Sequence, residues 1–361
     1  MSDLAFTINM MTASLTPGDA IGNYLLTSAR LWQSWGTKVH IYADNISPVY
    51  GGLARPTSWY KPNGNSLLWY HYSIFTPNLE LALNSHDYKV FDFHGVAPAS
   101  LFAGQNPHLQ SLCEIGRATL PTLADQFDLC VVHSEYSRSE LISHGFEMDK
   151  IHKLPLIVDT SLLVEKDDDP LAALLSRLEY ILFVGRIIPQ KDILAMLDIF
   201  THIHAERPDV VLILAGTRHL AKNYQRQIDR AIVQKGLDQR VLMTGQVNDP
   251  TTLASLFANA KMLLVTSEWE SFCVPVIEAM YFGTPVAVND IPPLPEVAGN
   301  GGIVIEKHRP HDAAKVILNL WRDHDLYQHI SHLARKRSAS FTDSALTAEL
   351  LKLLHDTFDP H

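Results

Sequence analysis

Cysteine is scarce in this chain. Its 361 residues include three, Cys113, Cys130 and Cys273, an odd and widely spaced set with no C-x-x-C pair. That excludes a disulfide framework or a zinc knuckle and points to a reducing compartment. Long apolar runs are missing too. No stretch approaches the roughly 18 apolar residues of a membrane-spanning helix. The opening MSDLAFTINMMTASL carries an acid where a secretory signal needs basic residues, so a cytoplasmic protein is expected. Basic charge is in short supply, with 29 Lys and Arg against 39 Asp and Glu and a net charge of -10. Broad electrostatic capture of nucleic acid is thereby excluded, while a small local basic site stays open. No repeat of solenoid period is visible.

What the chain does have is core-forming material, with 47% hydrophobic and 19% charged residues. A length of 361 residues predicts two domains of roughly 100 to 200 residues each. Short apolar runs alternate with longer segments of helical period, the mark of βαβ units on parallel sheets. Strands are predicted at Leu4–Met10, Lys38–Asp44, Ser66–Tyr72, Lys89–Gly95, Leu129–Ser134 and Ile151–Ile157. After Val158 the acidic, proline-broken DTSLLVEKDDDP reads as a linker. A second series follows, with strands at Tyr180–Arg186, Val210–Gly216, VLMTGQV, Met262–Ser267, PVAVND and GGIVIE. The expected organisation is a first domain over 1–158, a second over 159–340 and a terminal helix over 341–361 that is free to pack back on the first. Two doubly wound α/β domains facing a central cleft are the natural assembly, because ligands of such sheets bind beyond the carboxyl ends of the strands.

Chemistry concentrates at strand ends. In Gly185-Arg186-Ile187-Ile188-Pro189-Gln190-Lys191 the glycine permits a tight turn, and two cations meet at one mouth, where an anionic diphosphate could be held without a metal. An ordinary strand-to-helix corner with solvated charges has the same letters. Downstream, Glu270 precedes a helix that Pro275 is placed to open, and Glu278 lies within its first turn or so. Carboxylates repel phosphate, so these two suit sugar and ribose hydroxyls, with helix capping as the plain alternative. The loop Gly18-Asp19-Ala20-Ile21-Gly22-Asn23 could aim amides at a leaving phosphate or an acceptor. It is G-x-x-x-G rather than a dinucleotide fingerprint. Histidines number 18, and for His71, His133, His202 and His204 the reading is structural.

GRIIPQK followed by ESFCVPVIE, with the flanks SEWESFCVP and EAMYFGTPVAV, resembles the retaining family 4 glycosyltransferases of the GT-B fold. GDAIGNYLL, FDFHGVAPASLFAG and GRATLPTLADQFDLCVVHSEYSRSEL resemble a branch that builds bacterial surface polysaccharides, often with mannose. The resemblance implies two Rossmann-like domains and transfer of a hexose, with GDP-mannose favoured over a UDP-glucose-type donor, to a saccharide or lipid-linked acceptor with retention. It implies that Arg186 and Lys191 bind the donor diphosphate, Glu270 the sugar hydroxyls and Glu278 the ribose. The backbone of Ser271, Phe272, Cys273 and Val274 would approach sugar and phosphate, with Gly18, Gly185 and Thr217 completing the donor site. His94, at the end of FDFHG, would face the reacting sugar from the first domain. Many family members have glycine where this chain has Ser271 and Cys273. No cofactor or metal is implied, no nucleic-acid partner is expected, and contact with the inner face of a membrane would be peripheral. Rival readings are another enzyme on the same architecture, such as a nucleotide-sugar epimerase or a phosphorylase, and a non-catalytic sugar-nucleotide-binding protein.

Overall fold

A computed structural model describes residues 6–160, 163–164 and 170–358. Leu4 and Ala5 of the first predicted strand, and positions 161–162 and 165–169 of the predicted linker, lie outside the described residues. The chain divides into two compact units. Residues up to Ser100, Pro107–Val158 and the helix Asp343–Phe358 make up one, and Leu101–Asn106 with Asp159–Thr342 the other.

The first unit holds seven strands: β1 (Thr7–Leu15), β2 (Lys38–Ile46), β3 (Ala54–Pro56), β4 (Ser66–Tyr72), β5 (Tyr88–Phe93), β6 (Leu129–Val132) and β7 (Ile151–Lys153). They pair in the order β3-β2-β1-β4-β5-β6-β7, each pairing parallel. The second holds β8 (Tyr180–Val184), β9 (Val211–Ala215), β10 (Val241–Gly245), β11 (Met262–Val265), β12 (Val286–Asn289) and β13 (Gly302–Ile305). Their order is β10-β9-β8-β11-β12-β13, again all parallel. Both are doubly wound Rossmann-like sheets, the fold class expected from the sequence. Strand order reverses between β1 and β4 in one sheet and between β8 and β11 in the other. At such a reversal the two following loops leave toward opposite faces and open a crevice.

The apolar runs explain the layers. Every residue of β4 and of β9 is buried, as strands covered by helices on both faces require. The helix Ile193–Glu206 buries Ile193, Met196, Leu197, Phe200 and Ile203, a stripe of helical period laid on the second sheet. The first strand runs farther than its expected end at Met10, because Met11 to Leu15 continue the ladder with β2. Three-residue β3 was not anticipated. It is too short to show alternation, and Pro56 within it suits an edge position.

One contact shapes the second unit's strand ends. Gly185 donates its N–H to Ala215 O at 2.9 Å and Ile187 N donates to Thr217 O at 3.0 Å, so the loops after β8 and β9 stay paired beyond the strands. A Cβ built on Gly216 would lie 1.7 Å from the carbonyl oxygen of Gly185. Only glycine permits that approach. Gly216→Ala is expected to destabilise the chain at or above the upper end of the about 1–3 kcal/mol typical of overpacking. A urea-unfolding midpoint unchanged from the parent would refute this.

Candidate active site

The reversal between β8 and β11 places two loops side by side. The β8 loop carries Gly185, Arg186 and Lys191, and the β11 loop carries Ser267 to Cys273. Gly185 has φ 151, a value that favours glycine, and lets the chain turn at the strand end. Lys191 Nζ lies 2.5 Å from Glu270 Oε1, with side-chain exposures of 15% and 7%. Ser267 Oγ donates to the same oxygen at 2.6 Å. The loops are also joined by Glu268 N to Gln190 O at 2.8 Å and by Gln190 Nε2 to Trp269 O at 3.0 Å. Thr266 Oγ1 donates to the carbonyls of Lys191 and Asp192 at 3.1 and 2.9 Å. Arg186 is exposed and enters no ion pair among the described residues. The loop after β8 thus carries an exposed guanidinium and, five residues on, an ammonium paired with a carboxylate.

The helix Val274–Tyr281 starts directly after this loop. Its N-cap residue, Cys273, adopts φ 83 and ψ 73 and supplies no side-chain cap. Left-handed backbone at a residue other than glycine is strained, and it turns the loop sharply into the helix. Burial and the nearby Glu270 carboxylate push the Cys273 thiol far up, which leaves it protonated and unreactive. Phe272 is 2% exposed and packs edge-on against Phe341 with ring centroids 5.6 Å apart, so its side chain belongs to the core. Its backbone, with that of Ser271 and Val274, lines the loop.

Glu278 is the fifth residue of this helix and so lies in the second turn, slightly later than expected. Burial pushes its carboxyl up to about 7, and no opposing charge offsets that. Thr217 follows β9, and its hydroxyl donates to Gln246 Oε1 at 3.0 Å. Gly185, Arg186, Lys191, Thr217 and the segment 270–278 thus all lie on strand-end loops of one sheet, or on the helix that follows.

Gly18 and His94 belong to the other unit. Gly18 has φ 77 and is followed by Asp19, which accepts from Gly22 N at 2.9 Å and caps the helix Ala20–Ser34. His94 sits one residue past β5, its N–H bonded to Tyr72 O at 2.9 Å. Its ring is buried in a cluster that linear reading missed. Asp92 and His94 share a face of the strand by the period of two, and His71 on β4 is the register partner of Asp92. His71 Nδ1 lies 3.0 Å from His94 Nε2 and 3.3 Å from Asp92 Oδ2. His94 Nε2 and His133 Nε2 lie 3.4 and 2.9 Å from Asp92 Oδ1, while Trp69 Nε1 donates to Oδ2 at 2.6 Å. Tyr24, from the capped helix, closes edge-on over all three imidazoles.

Asp92 is 0% exposed, so the donors around it are what make its burial tolerable. Burial pushes Asp92 up, but the attraction of His94, His133 and His71 prevails and holds its carboxyl well below the usual range. Burial pushes His71 down to about 4 and His94 well below its ordinary value, against the pull of Asp92. His71, Asp92 and His94 offer one potential metal-ligand atom each within 4.8 Å of one another. Here His71 Nδ1 and His94 Nε2 share a hydrogen bond, while the buried His71 Nε2 and Asp92 Oδ1 make none among the described residues.

Residues 168–337 match the family described as glycosyl transferases group 1. That segment is a group 1 glycosyltransferase domain. Over 224 residues the chain is 27% identical to O-antigen chain mannosyltransferase B of Escherichia coli, a match covering 60% of this chain and 57% of that protein. The chain thus spans little more than half the length of that relative. Among solved structures, sucrose-phosphate synthase of Thermosynechococcus elongatus aligns over 99% of this chain and 100% of its own, with a TM-score of 0.78 and 17% identity. HepE of Anabaena, in complex with UDP and glucose, aligns over 97% and 99% with a TM-score of 0.73 and 16% identity. These likenesses establish a fold of the GT-B kind.

The raised carboxyl of Glu278 has a testable sign. Its folded value near 7 exceeds the ordinary 4.5, so the folded chain holds the extra proton between those values. Stability from this group is therefore greatest at low pH and falls as pH rises toward 7. Glu278→Gln is expected to raise the melting temperature over the parent at pH 8 and to leave it unchanged near pH 5. An equal difference at both pH values would contradict this assignment.

Proposed function

We propose that the chain is a retaining, metal-independent hexosyltransferase of polysaccharide biosynthesis, moving mannose from GDP-mannose to a saccharide or lipid-linked acceptor. The observation that carries the reading is the Lys191–Glu270 pair at the β8/β11 reversal, inside the group 1 glycosyltransferase domain. A buried carboxylate and a partly buried ammonium face each other across two loops and satisfy one another. On donor binding the ammonium would turn to the diphosphate and the carboxylate to the sugar hydroxyls. Arg186, exposed and unpaired among the described residues, would grip the phosphates by its fork. The amino-terminal end of the helix Val274–Tyr281 would add positive dipole, and Glu278 would accept from the ribose. Support for mannose comes from the named activity of the Escherichia coli relative, and UDP-glucose is the second donor because HepE binds UDP and glucose.

In the reaction the anomeric carbon loses its bond to the diphosphate oxygen and gains one to the acceptor hydroxyl oxygen. The hydroxyl proton passes to the departing phosphate, so acceptor and leaving group share one face and configuration is retained. Negative charge growing on the diphosphate would be met by Arg186, Lys191 and the helix terminus, electrostatic preorganisation that requires no cofactor from the protein. His94 is proposed to face the reacting sugar from its strand end, its Nε2 engaged by His71 and Asp92. The enzyme is proposed to work in the cytoplasm, in peripheral contact with the membrane where the acceptor is lipid-linked. Among the described residues no helix is long and apolar enough to cross a membrane.

Binding provides the first test. GDP is expected to raise the melting temperature more than UDP or ADP at equal concentration. Arg186→Ala and Lys191→Ala should weaken diphosphate binding tenfold or more, on the order of one charge-assisted bond each, and spare nucleoside binding. Equal losses for diphosphate and nucleoside would remove both residues from the phosphate site.

Turnover provides the second. Glu270→Ala and His94→Ala are each expected to lower transfer by about 10²-fold or more while leaving nucleotide affinity nearly unchanged, as loss of transition-state contacts does. The parent should keep its rate in excess EDTA. Transfer by His94→Ala at the parental rate would return His94 to a structural role, and reversible loss of activity with chelator would overturn the metal-free mechanism.

A further inference from the structure

We propose that Lys307 is a positioning residue of the diphosphate site, a tether that fixes the two motif loops against each other. The proposal rests on the donor-binding reading above and goes beyond it, since Lys307 follows β13 and lies outside both motifs.

The Lys307 side chain is 1% exposed, and its Nζ lies 2.6 Å from Asp192 Oδ2 and also pairs with Glu268. Asp192 is the chain neighbour of Lys191, and Glu268 stands two residues before Glu270. One ammonium therefore holds both loops. The backbone repeats the connection: Lys307 N donates to Asn289 Oδ1 at 3.3 Å, and Asn289 Nδ2 donates to Ser267 O at 3.1 Å. The end of β13 is thus tied through the end of β12 to the end of β11, and directly to the loop after β8.

The β8 loop needs such a restraint. Asp192 adopts φ 44, a left-handed value that a residue other than glycine keeps only when its surroundings impose it. Its carboxylate also caps the helix Ile193–Glu206 by accepting from Ala195 N at 3.3 Å. Thr266 Oγ1 holds the same turn through the carbonyls of Lys191 and Asp192. Lys191 is thereby fixed in the backbone on both its carbonyl side and its following residue.

A buried lysine with two carboxylates is a poor choice if stability alone is the purpose, because packed apolar side chains in place of all three often serve as well or better. What an apolar residue lacks is three directed donors on a point charge, able to join carboxylates from separate loops. The consequence falls on Lys191 and Arg186, whose placement decides diphosphate binding. Displacement of a binding group by about 1 Å is enough to cost large factors in rate or affinity. Glu278, carried by the following helix, is outside the tether.

The experiment compares the parent with Lys307→Met in the full chain. Nucleoside diphosphate affinity (GDP and UDP) is measured by calorimetry, nucleoside affinity by ligand-observed NMR, and folding by circular dichroism and melting temperature. The expected result is a folded variant with diphosphate affinity lowered about tenfold or more and nucleoside affinity unchanged. Parental diphosphate affinity in folded Lys307→Met, or equal losses for both ligands, overturns the proposal. Where Lys307→Met leaves two facing carboxylates and fails to fold, the double variant Glu268→Gln/Lys307→Met removes the tether without that repulsion. The same selective loss is then expected, and full diphosphate affinity is again the contrary result. A parent that binds neither GDP nor UDP defeats the donor-site reading itself, an outcome separate from failure of the tether.

Discussion

The close approach of Gly185 and Gly216 is the constraint on which the second unit's strand ends depend. It lets the β8 loop stay hydrogen-bonded to the β9 loop past the sheet, and so sets the height at which Arg186 and Lys191 leave the strand. Push the backbones apart by a methyl group and the cations rise with them. The ion pair to Glu270 and the Gln190 bonds to the β11 loop are made by the segment that starts there. A parallel sheet can support this because its loops on one edge all begin from neighbouring strand ends.

The two units handle buried charge differently. In the second, carboxylates meet lysines: Glu270 with Lys191, and Asp192 and Glu268 with Lys307. In the first, Asp92 is surrounded by imidazoles, an indole and a phenol ring, with no lysine or arginine among its ion-pair partners in the described residues. Formal cations hold loops over distance by strong attraction. A shell of rings around one carboxylate instead fixes the orientations of those rings.

Much of this was legible in the letters. Apolar runs such as SLLWYHY and VVLILAG marked the buried strands, and the resemblance of GRIIPQK and ESFCVPVIE to family motifs marked the loops that meet at the β8/β11 reversal. What remained hidden depends on register. His71, Asp92 and His133 come together because β4, β5 and β6 pair with particular offsets, and a linear reading of His71 or His133 as structural has no access to those offsets. Lys307 escaped notice for a similar reason, since it lies 115 residues from the carboxylate of Asp192. The strain at Cys273 left only an indirect trace, a cysteine where many relatives carry glycine. Three-residue β3 left none.

The terminal helix Asp343–Phe358 carries a consequence for the order in which the chain is made. Leu350, Leu353 and Leu354 are buried, and this helix is part of the first unit although it is synthesised after the second. On a ribosome that delivers about 5–20 residues per second, the seven-stranded sheet emerges early, and its unit waits for this helix until all of Asp159–Thr342 has been added. The second unit, apart from Leu101–Asn106, is continuous and can close as soon as it emerges. The first unit is therefore completed only after the second has been made, and a ribosome that stalls before Asp343 leaves the first unit without this helix.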